Sequence, residues 1–394
     1  MTMPDDAGGA CPACGGTALS EIYRLDAIPV QSCILLGSER EARDFPRAPL
    51  VLLFCDGCGF VFNAAFDPGL VDYASTTEES QHFSGTFNRF ADSLVSEIAD
   101  RMDLDGKRTL EIGCGKGEFL RALAERTGTI GLGVDPGFIP ERLEVENGHD
   151  ISFRREYFDP SGIGARPDLV VCRHTLEHIP EVRAFLADIR TAAAGGDVAT
   201  FFETPDIRRV LEEGAFWDIY YEHCSYFTLG SHARLFRAAG LDVTDAYLAY
   251  DDQYIIQYAA FGTGGGRLAV ENDLGDLRRL ARAFPGTVAD MRARWTAFVA
   301  DRHAAGRTVA IWGGGSKGVS FLTTNGLGPE VSHVIDINPF KHGKYLPGTG
   351  HRVSAPDALH ADPPDTVIVM NPVYEAEIGA QLAGMGLSPE LVSV

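Results

Sequence analysis

Residues 109–118 constrain this chain more than any other segment. An apolar strand, Leu110-Glu111-Ile112, runs into Gly113-Cys114-Gly115-Lys116-Gly117, and a helix is expected over 118–126. Glycines at such a junction let a ligand press against the backbone, and the helix start offers free amide donors. Nucleotide and dinucleotide folds share the bare motif, so its context decides its meaning. Glu111 stands where a dinucleotide fingerprint begins with glycine. Asp135 ends the next strand, 130–134, where a carboxylate suits two ribose hydroxyls. A further strand, 169–172, meets His174-Thr175-Leu176-Glu177-His178.

The alternation continues on both sides. Residues 80–104, 182–193 and 231–239 read as helices, and 198–202 as a strand. Residues 242–250 and 254–261 read as consecutive strands able to close the sheet with an antiparallel hairpin. This pattern predicts a doubly wound α/β sheet. Gly262-Thr263-Gly264-Gly265-Gly266 reads as a linker. A second α/β unit follows, with a helix over 274–304 and strands at 308–312, 334–336 and 365–370.

The cysteines mark a different unit near the start, behind a frayed tail over 1–10. Cys11 and Cys14 form one C-x-x-C, Cys55 and Cys58 another, and each pair is followed by glycine. A turn aiming two thiolates at one ion needs a residue free to take positive φ. Two such turns supply the ligands of a closed tetrahedral site, which predicts structural zinc without an open catalytic position. Apolar runs at 30–36 and 50–54 read as strands beside these turns. Cys33, Cys114, Cys172 and Cys224 read as buried small hydrophobes.

Charge limits the partners. Lys and Arg number 34 against 55 Asp and Glu, a net charge of −21. A surface that acidic repels nucleic acid and anionic membrane, so neither is an expected partner. No run reaches the length of a spanning helix, and the start lacks the basic and apolar regions of a signal peptide. A cytoplasmic protein with a small-molecule substrate is the expectation. The sequence leaves its oligomeric state open.

The succession of Glu111, the glycine turn, Asp135 and residues 169–178 resembles class I S-adenosylmethionine-dependent methyltransferases. That resemblance implies a cofactor site lined by Glu111, Gly113, Gly115 and Asp135. It places Tyr157 and Phe158 by the adenine, and Cys172, Arg173 and His174 near the methionine end. The whole order of thiol turns, methyltransferase core and second α/β unit resembles the zinc-containing sugar C-methyltransferase family, which acts on nucleotide-linked 4-keto deoxysugars. Its most specific segment here is Phe216-Trp217-Asp218-Ile219-Tyr220-Tyr221-Glu222-His223-Cys224-Ser225-Tyr226-Phe227, after Glu203-Thr204-Pro205-Asp206. The later half matches at Gly313-Gly314-Gly315-Ser316-Lys317-Gly318 and over 336–349. The resemblance implies a zinc-binding domain over 1–70, a methyltransferase core over 71–262 and a Rossmann-like substrate-binding domain over 263–394.

Carbon becomes nucleophilic when a proton beside a carbonyl is removed, so this chemistry needs a base and a donor to the enolate oxygen. His223 is the candidate base. Glu222 is placed to orient the site or contact a substrate hydroxyl, and Tyr220 or Tyr221 to donate to the oxyanion. Tyr73 and His178 are candidate substrate contacts. Lys317, Lys341 and Lys344 are candidates to neutralise a diphosphate. His174 and His178 have metal-ligand spacing if helical, but the thiolate set already accounts for a metal. The chain departs from the family at 72–81, which keeps one tyrosine, and at Met370-Asn371-Pro372. Glu78 and Glu79, in the first of these segments, are substitute bases. The alternatives are an O- or N-methyltransferase on a sugar or natural-product intermediate, a non-methylating binding or cyclase-like protein, and a nicotinamide oxidoreductase using the second glycine turn.

Overall fold

The computed structural model describes residues 9–74, 77–143, 149–262 and 265–394. Residues 1–8 of the expected tail, Ser75 and Thr76, and Thr263 and Gly264 of the expected linker fall outside them.

The central layer is a seven-stranded sheet. Its spatial order is Leu241–Ala249, Tyr254–Phe261, Ala199–Pro205, Leu169–Arg173, Arg108–Ile112, Ile130–Val134 and Ile151–Arg154. The last five run parallel, and Tyr254–Phe261 enters antiparallel beside Ala199–Pro205. The expected hairpin is therefore there, with its second strand inserted into the sheet. The short strand Ile151–Arg154 carries too little apolar pattern to be read from sequence. Every residue of Leu169–Arg173 is buried, as a parallel strand covered by helices on both faces requires. Strand order reverses at Arg108–Ile112, and ligands of such sheets bind outside the carboxyl ends at that point. The turn at 113–117 and the segment 174–178 both leave the sheet there.

Helix Gly85–Arg101 begins where Ser84 accepts from the amides of Thr86 and Phe87, and buries Phe87, Ala91, Leu94, Val95 and Ile98 on one face. It is shorter than 80–104: Ser84 caps its start, residues 80–84 line the cavity, and Met102 leaves the helix in extended backbone.

A four-stranded antiparallel sheet joins Leu19–Pro29, Arg47–Cys55, Val61–Asn63 and Ser225–Tyr226. The expected strand at 30–36 does not form. The ladder stops at Pro29, and Ser32 turns its amide to Glu222 Oε1 at 2.8 Å instead. The fourth strand comes from the Tyr-Glu-His segment and ties it to the thiol-bearing unit.

A five-stranded parallel sheet completes the chain, in the order Val353–Ser354, His333–Ile335, Val309–Trp312, Thr366–Val369 and Glu390–Ser393. Helix Leu274–Ala304 buries Leu277, Leu280, Ala281, Phe284, Val288, Trp295 and Val299. These side chains share one core with Leu50, Leu52 and Phe54 of the small sheet and with Val309 and Ile311 of the last sheet. Among the described residues no helix is long and apolar enough to cross a membrane.

Candidate active site

The first glycine turn is fixed by what surrounds it. Gly113 has φ 72°, and a Cβ there would lie 1.9 Å from Thr175 Oγ1. Asp135 Oδ2 accepts from the Gly115 amide at 2.9 Å, and Oδ1 from Gly137 at 2.6 Å. Burial still holds its carboxyl above the ordinary aspartate range. Glu111 is 2% exposed, and its Oε2 has no hydrogen-bond partner. Burial pushes the Glu111 carboxyl up to about 8. A buried carboxylate oxygen without a donor is costly unless a ligand completes it. The ammonium of S-adenosylmethionine has the matching chemistry, so this turn fits that cofactor.

The turn opens into a cavity of about 660 Å³. Glu111, Gly113, Gly115, Asp135, Tyr157, Phe158, His174, Tyr73, His178, Tyr220, Glu222, His223, Lys317 and Lys341 all line it. The second glycine turn reaches the same space: Asp336 Oδ2 accepts from the Gly314 amide at 3.0 Å, as Asp135 does in the first.

His223 sits between two rings, 4.8 Å from His178 and 4.7 Å from Tyr220, both nearly perpendicular to it. Its ring nitrogens make no hydrogen bond among the described residues. Burial, helped by the neighbouring His178, His174 and Lys317, pushes its pKa well below the ordinary value. The Glu222 carbonyl accepts from His178 Nδ1 at 3.1 Å and from the Tyr73 hydroxyl at 3.4 Å. The Glu222 carboxylate accepts from the amide and hydroxyl of Ser32, while its buried Oε2 has no partner. Burial raises its pKa. Tyr220 donates to Asp218 Oδ1 at 3.1 Å, and Asp218 also pairs with Lys317 and Arg209.

His174 is held as a cation. It takes φ 47°, uncommon for a residue with a Cβ, and its Nε2 lies 3.0 Å from Glu203 Oε1 and its Nδ1 3.6 Å from Glu177 Oε1. Burial pushes its pKa down, but the two carboxylates outweigh that and hold it at about 9.

Several expectations are corrected. Tyr221 is fully buried; its hydroxyl accepts from the Asp67 amide at 2.8 Å and donates to the Ala65 carbonyl at 3.3 Å, so it serves the fold and does not line this cavity. Cys172 is fully buried in the sheet's core with Leu110, Ile112 and Val170. Lys344 lies outside the cavity lining. Residues Leu176–His178 form a 3-10 turn, so His174 and His178 are not a helical pair. Glu78 is buried against Arg142 and Asn338, and Glu79 pairs with Lys116 at 2.8 Å, so neither carboxylate is free as a base. Sequence reasoning missed Ser32, Arg209 and Asp218 as members of the site. Asp218 stood inside the quoted run, but nothing in its spacing marked it.

Away from the cavity, Cys11 and Cys58 approach to 3.6 Å between sulfurs, as do Cys14 and Cys55. None is in a disulfide, and all four sulfurs lie within 4.8 Å of one another. Gly15 and Gly59 both take φ 75°. Zinc–sulfur bonds of about 2.3 Å in a tetrahedron set sulfurs about 3.8 Å apart, so the donor set fits a thiophilic ion.

A family model for a methyltransferase domain matches residues 83–246, and one for a C-methyltransferase C-terminal domain matches residues 268–387. The chain is 28% identical over 396 residues to C-methyltransferase NovU of Streptomyces niveus, covering 93% of this chain and 90% of that protein. A ubiquinone biosynthesis O-methyltransferase of Pseudomonas entomophila is 32% identical over 117 residues, 28% of this chain and 49% of that protein. The magnesium protoporphyrin IX methyltransferase of Synechocystis PCC 6803, solved with bound SAH, aligns with 48% of this chain and 90% of its own at 16% identity and a TM-score of 0.37, too distant to carry an argument. The sheet order and the two matched domains have one reading: the protein is an enzyme with the class I fold, an S-adenosylmethionine-dependent methyltransferase.

Proposed function

We propose that the enzyme methylates a carbon beside a carbonyl, in a nucleotide-linked keto-deoxysugar or a related metabolite, with His223 as the base. The observation that carries this reading is the setting of His223. Its ring faces a cavity reached by both glycine turns, and its nitrogens are committed to no other group. A neutral imidazole there takes the proton. Tyr220 lies beside it and keeps its own proton, because burial raises the phenol's pKa well above its ordinary value. It donates to the enolate oxygen by turning from Asp218. Tyr73 and His178, joined through the Glu222 carbonyl, contact the sugar, and the Glu222 carboxyl orients it.

Glu111, Gly113, Gly115 and Asp135 hold the cofactor, with Tyr157 and Phe158 by its adenine and His174 near its methionine end. S-adenosylmethionine, when bound, supplies a methyl group on a positively charged sulfur. Lys317, in the second glycine turn, and Lys341, paired with Asp336 beside that turn, face the charged end of the substrate. The four cysteines hold one structural zinc. In this reading residues 1–70, 71–262 and 263–394 bind metal, cofactor and substrate in turn. The full-length similarity to a C-methyltransferase supports carbon as the acceptor.

The test is solvent exchange. A keto-sugar nucleotide incubated in heavy water with enzyme should gain deuterium beside the carbonyl before any methyl transfer, and the product should gain one methylene in mass. Transfer to oxygen or nitrogen without exchange overturns the carbon reading.

A further inference from the structure

Among the described residues, two groups of side chains converge closely enough to share one metal ion. One is the set of four cysteines. The other is Glu177, His178 and His223, each offering a ligand atom within 4.8 Å of the others. We infer that Glu177, His178 and His223 form a second metal site, for a divalent transition ion such as zinc or cobalt, and that its occupancy blocks methyl transfer.

Three independent features of these residues point to a ligand. Glu177 is 2% exposed, lines the cavity, and has one committed oxygen: Oε1 faces His174 while Oε2 is buried without a partner. His178 Nδ1 lies 3.1 Å from the Glu222 carbonyl, which only accepts, and 3.2 Å from the Tyr73 hydroxyl, which can accept as well as donate; a proton on Nδ1 satisfies the carbonyl and leaves the lone pair on Nε2. A backbone carbonyl on the far nitrogen is the usual support behind a metal-bound histidine. His223, packed only by ring contacts, is free to turn a lone pair toward the other two. Two imidazoles and a carboxylate suit borderline ions such as zinc and cobalt, and three protein ligands leave a position open to the cavity. Ligand atoms around bound zinc stand about 3.4 Å apart, so atoms within 4.8 Å of one another need close by at most about 1.4 Å, which the unbonded His223 ring allows.

The blockade follows from electron count. The lone pair that takes a substrate proton is the one a metal would occupy, so no base remains while the ion is bound. The blockade rests on His223 as the base, whereas the site itself does not.

The experiment uses the full-length enzyme with its resident metal retained. Cobalt is added, its bound equivalents are counted by equilibrium dialysis, and its visible absorption is recorded alongside methyl transfer. The expected result is one further equivalent, with transfer lost in proportion and restored by a weak chelator. Glu177→Gln and His223→Asn should each weaken that equivalent at least tenfold. No further equivalent, or one unchanged in both variants, overturns the site and leaves the base reading standing. An equivalent sensitive to both variants but without effect on transfer overturns the blockade and counts against His223 as the base.

Discussion

Lys317 and Asp218 are ion-paired across the join between the two α/β units. Lys317 stands in the second glycine turn, and Asp218 two residues before Tyr220. Asp218 carries more than one partner: Arg209 pairs with it, and Tyr220 donates to it. Lys341 is likewise paired with Asp336 at 3.1 Å. Two of the three lysines expected to neutralise a diphosphate therefore already face carboxylates, and a substrate must share them.

Lys317→Met tests that sharing. Asp218 keeps Arg209, so the variant should fold. A charge-assisted contact contributes roughly 1.5–3 kcal/mol. KM for a nucleotide-linked sugar should rise about ten- to a hundredfold, while cofactor affinity by calorimetry stays unchanged. Equal loss of both affinities would mean that the pair holds the two units together and does not contact substrate.

Glu111 makes cofactor binding pH-dependent. Burial pushes its carboxyl up to about 8, so it is protonated at pH 7 without ligand. A cation beside it favours the carboxylate and expels the proton. Binding of S-adenosylmethionine at pH 7 should release up to about one proton, read by calorimetry in buffers of different ionisation enthalpy. Affinity should strengthen as pH rises to about 8. Glu111→Gln should abolish the release and weaken binding about tenfold or more.

The same burial sets a stability trend. Asp206 is pushed by burial up to about 7. Carboxyls raised in the fold favour the folded state below their ordinary range and lose that contribution as pH rises through the folded value. The cofactor-free protein should therefore lose thermal stability as pH rises from about 4 to about 8, and level off above that. Cofactor should reverse the part due to Glu111.

Much of this site was legible because strand–turn–helix junctions announce themselves in glycine. The turn at 113–117, the acid at Asp135 and the helix at 274–304 stand where spacing put them. Contacts between distant segments were not legible. Ser32 reaches Glu222 from 190 residues away, and an apolar run at 30–36 reads as a strand until that contact pulls it out of the ladder. Ser225–Tyr226 is too short for periodicity to mark, yet it joins the Tyr-Glu-His segment to the small sheet. Tyr221 and Tyr220 are equivalent in sequence; only the path of the backbone decides that one donates to the Ala65 carbonyl and the other faces the cavity.

Metal removal should expose that joint. Purified protein is expected to contain about one zinc per chain, and Cys55→Ser should lower it. The small sheet holds Ser225–Tyr226 and shares a core with the long helix. Metal loss should therefore raise amide exchange first at residues 11–63 and next at 220–227, before the strands of the central sheet. Central-sheet exchange rising together with residues 11–63 would count against a separate role for the metal.

His223→Asn tests the base directly. Asparagine removes the imidazole and keeps a polar side chain of smaller size, and His223 makes no hydrogen bond whose loss would disturb the fold. Turnover should fall by roughly 10²–10⁴, the usual contribution of a positioned acid–base group. Affinity for S-adenosylmethionine should hold, because the cofactor turn begins at the end of a different strand, Arg108–Ile112. Deuterium exchange into the keto substrate should fall by the same factor as turnover. That coincidence is what separates a base from a packing residue. If His223 only shaped the cavity, the variant would lose substrate affinity and leave the exchange rate of bound substrate intact. Exchange at the wild-type rate would assign proton removal to another group. Glu222 would then be the first to test, since it lines the same cavity and its Oε2 is buried without a partner.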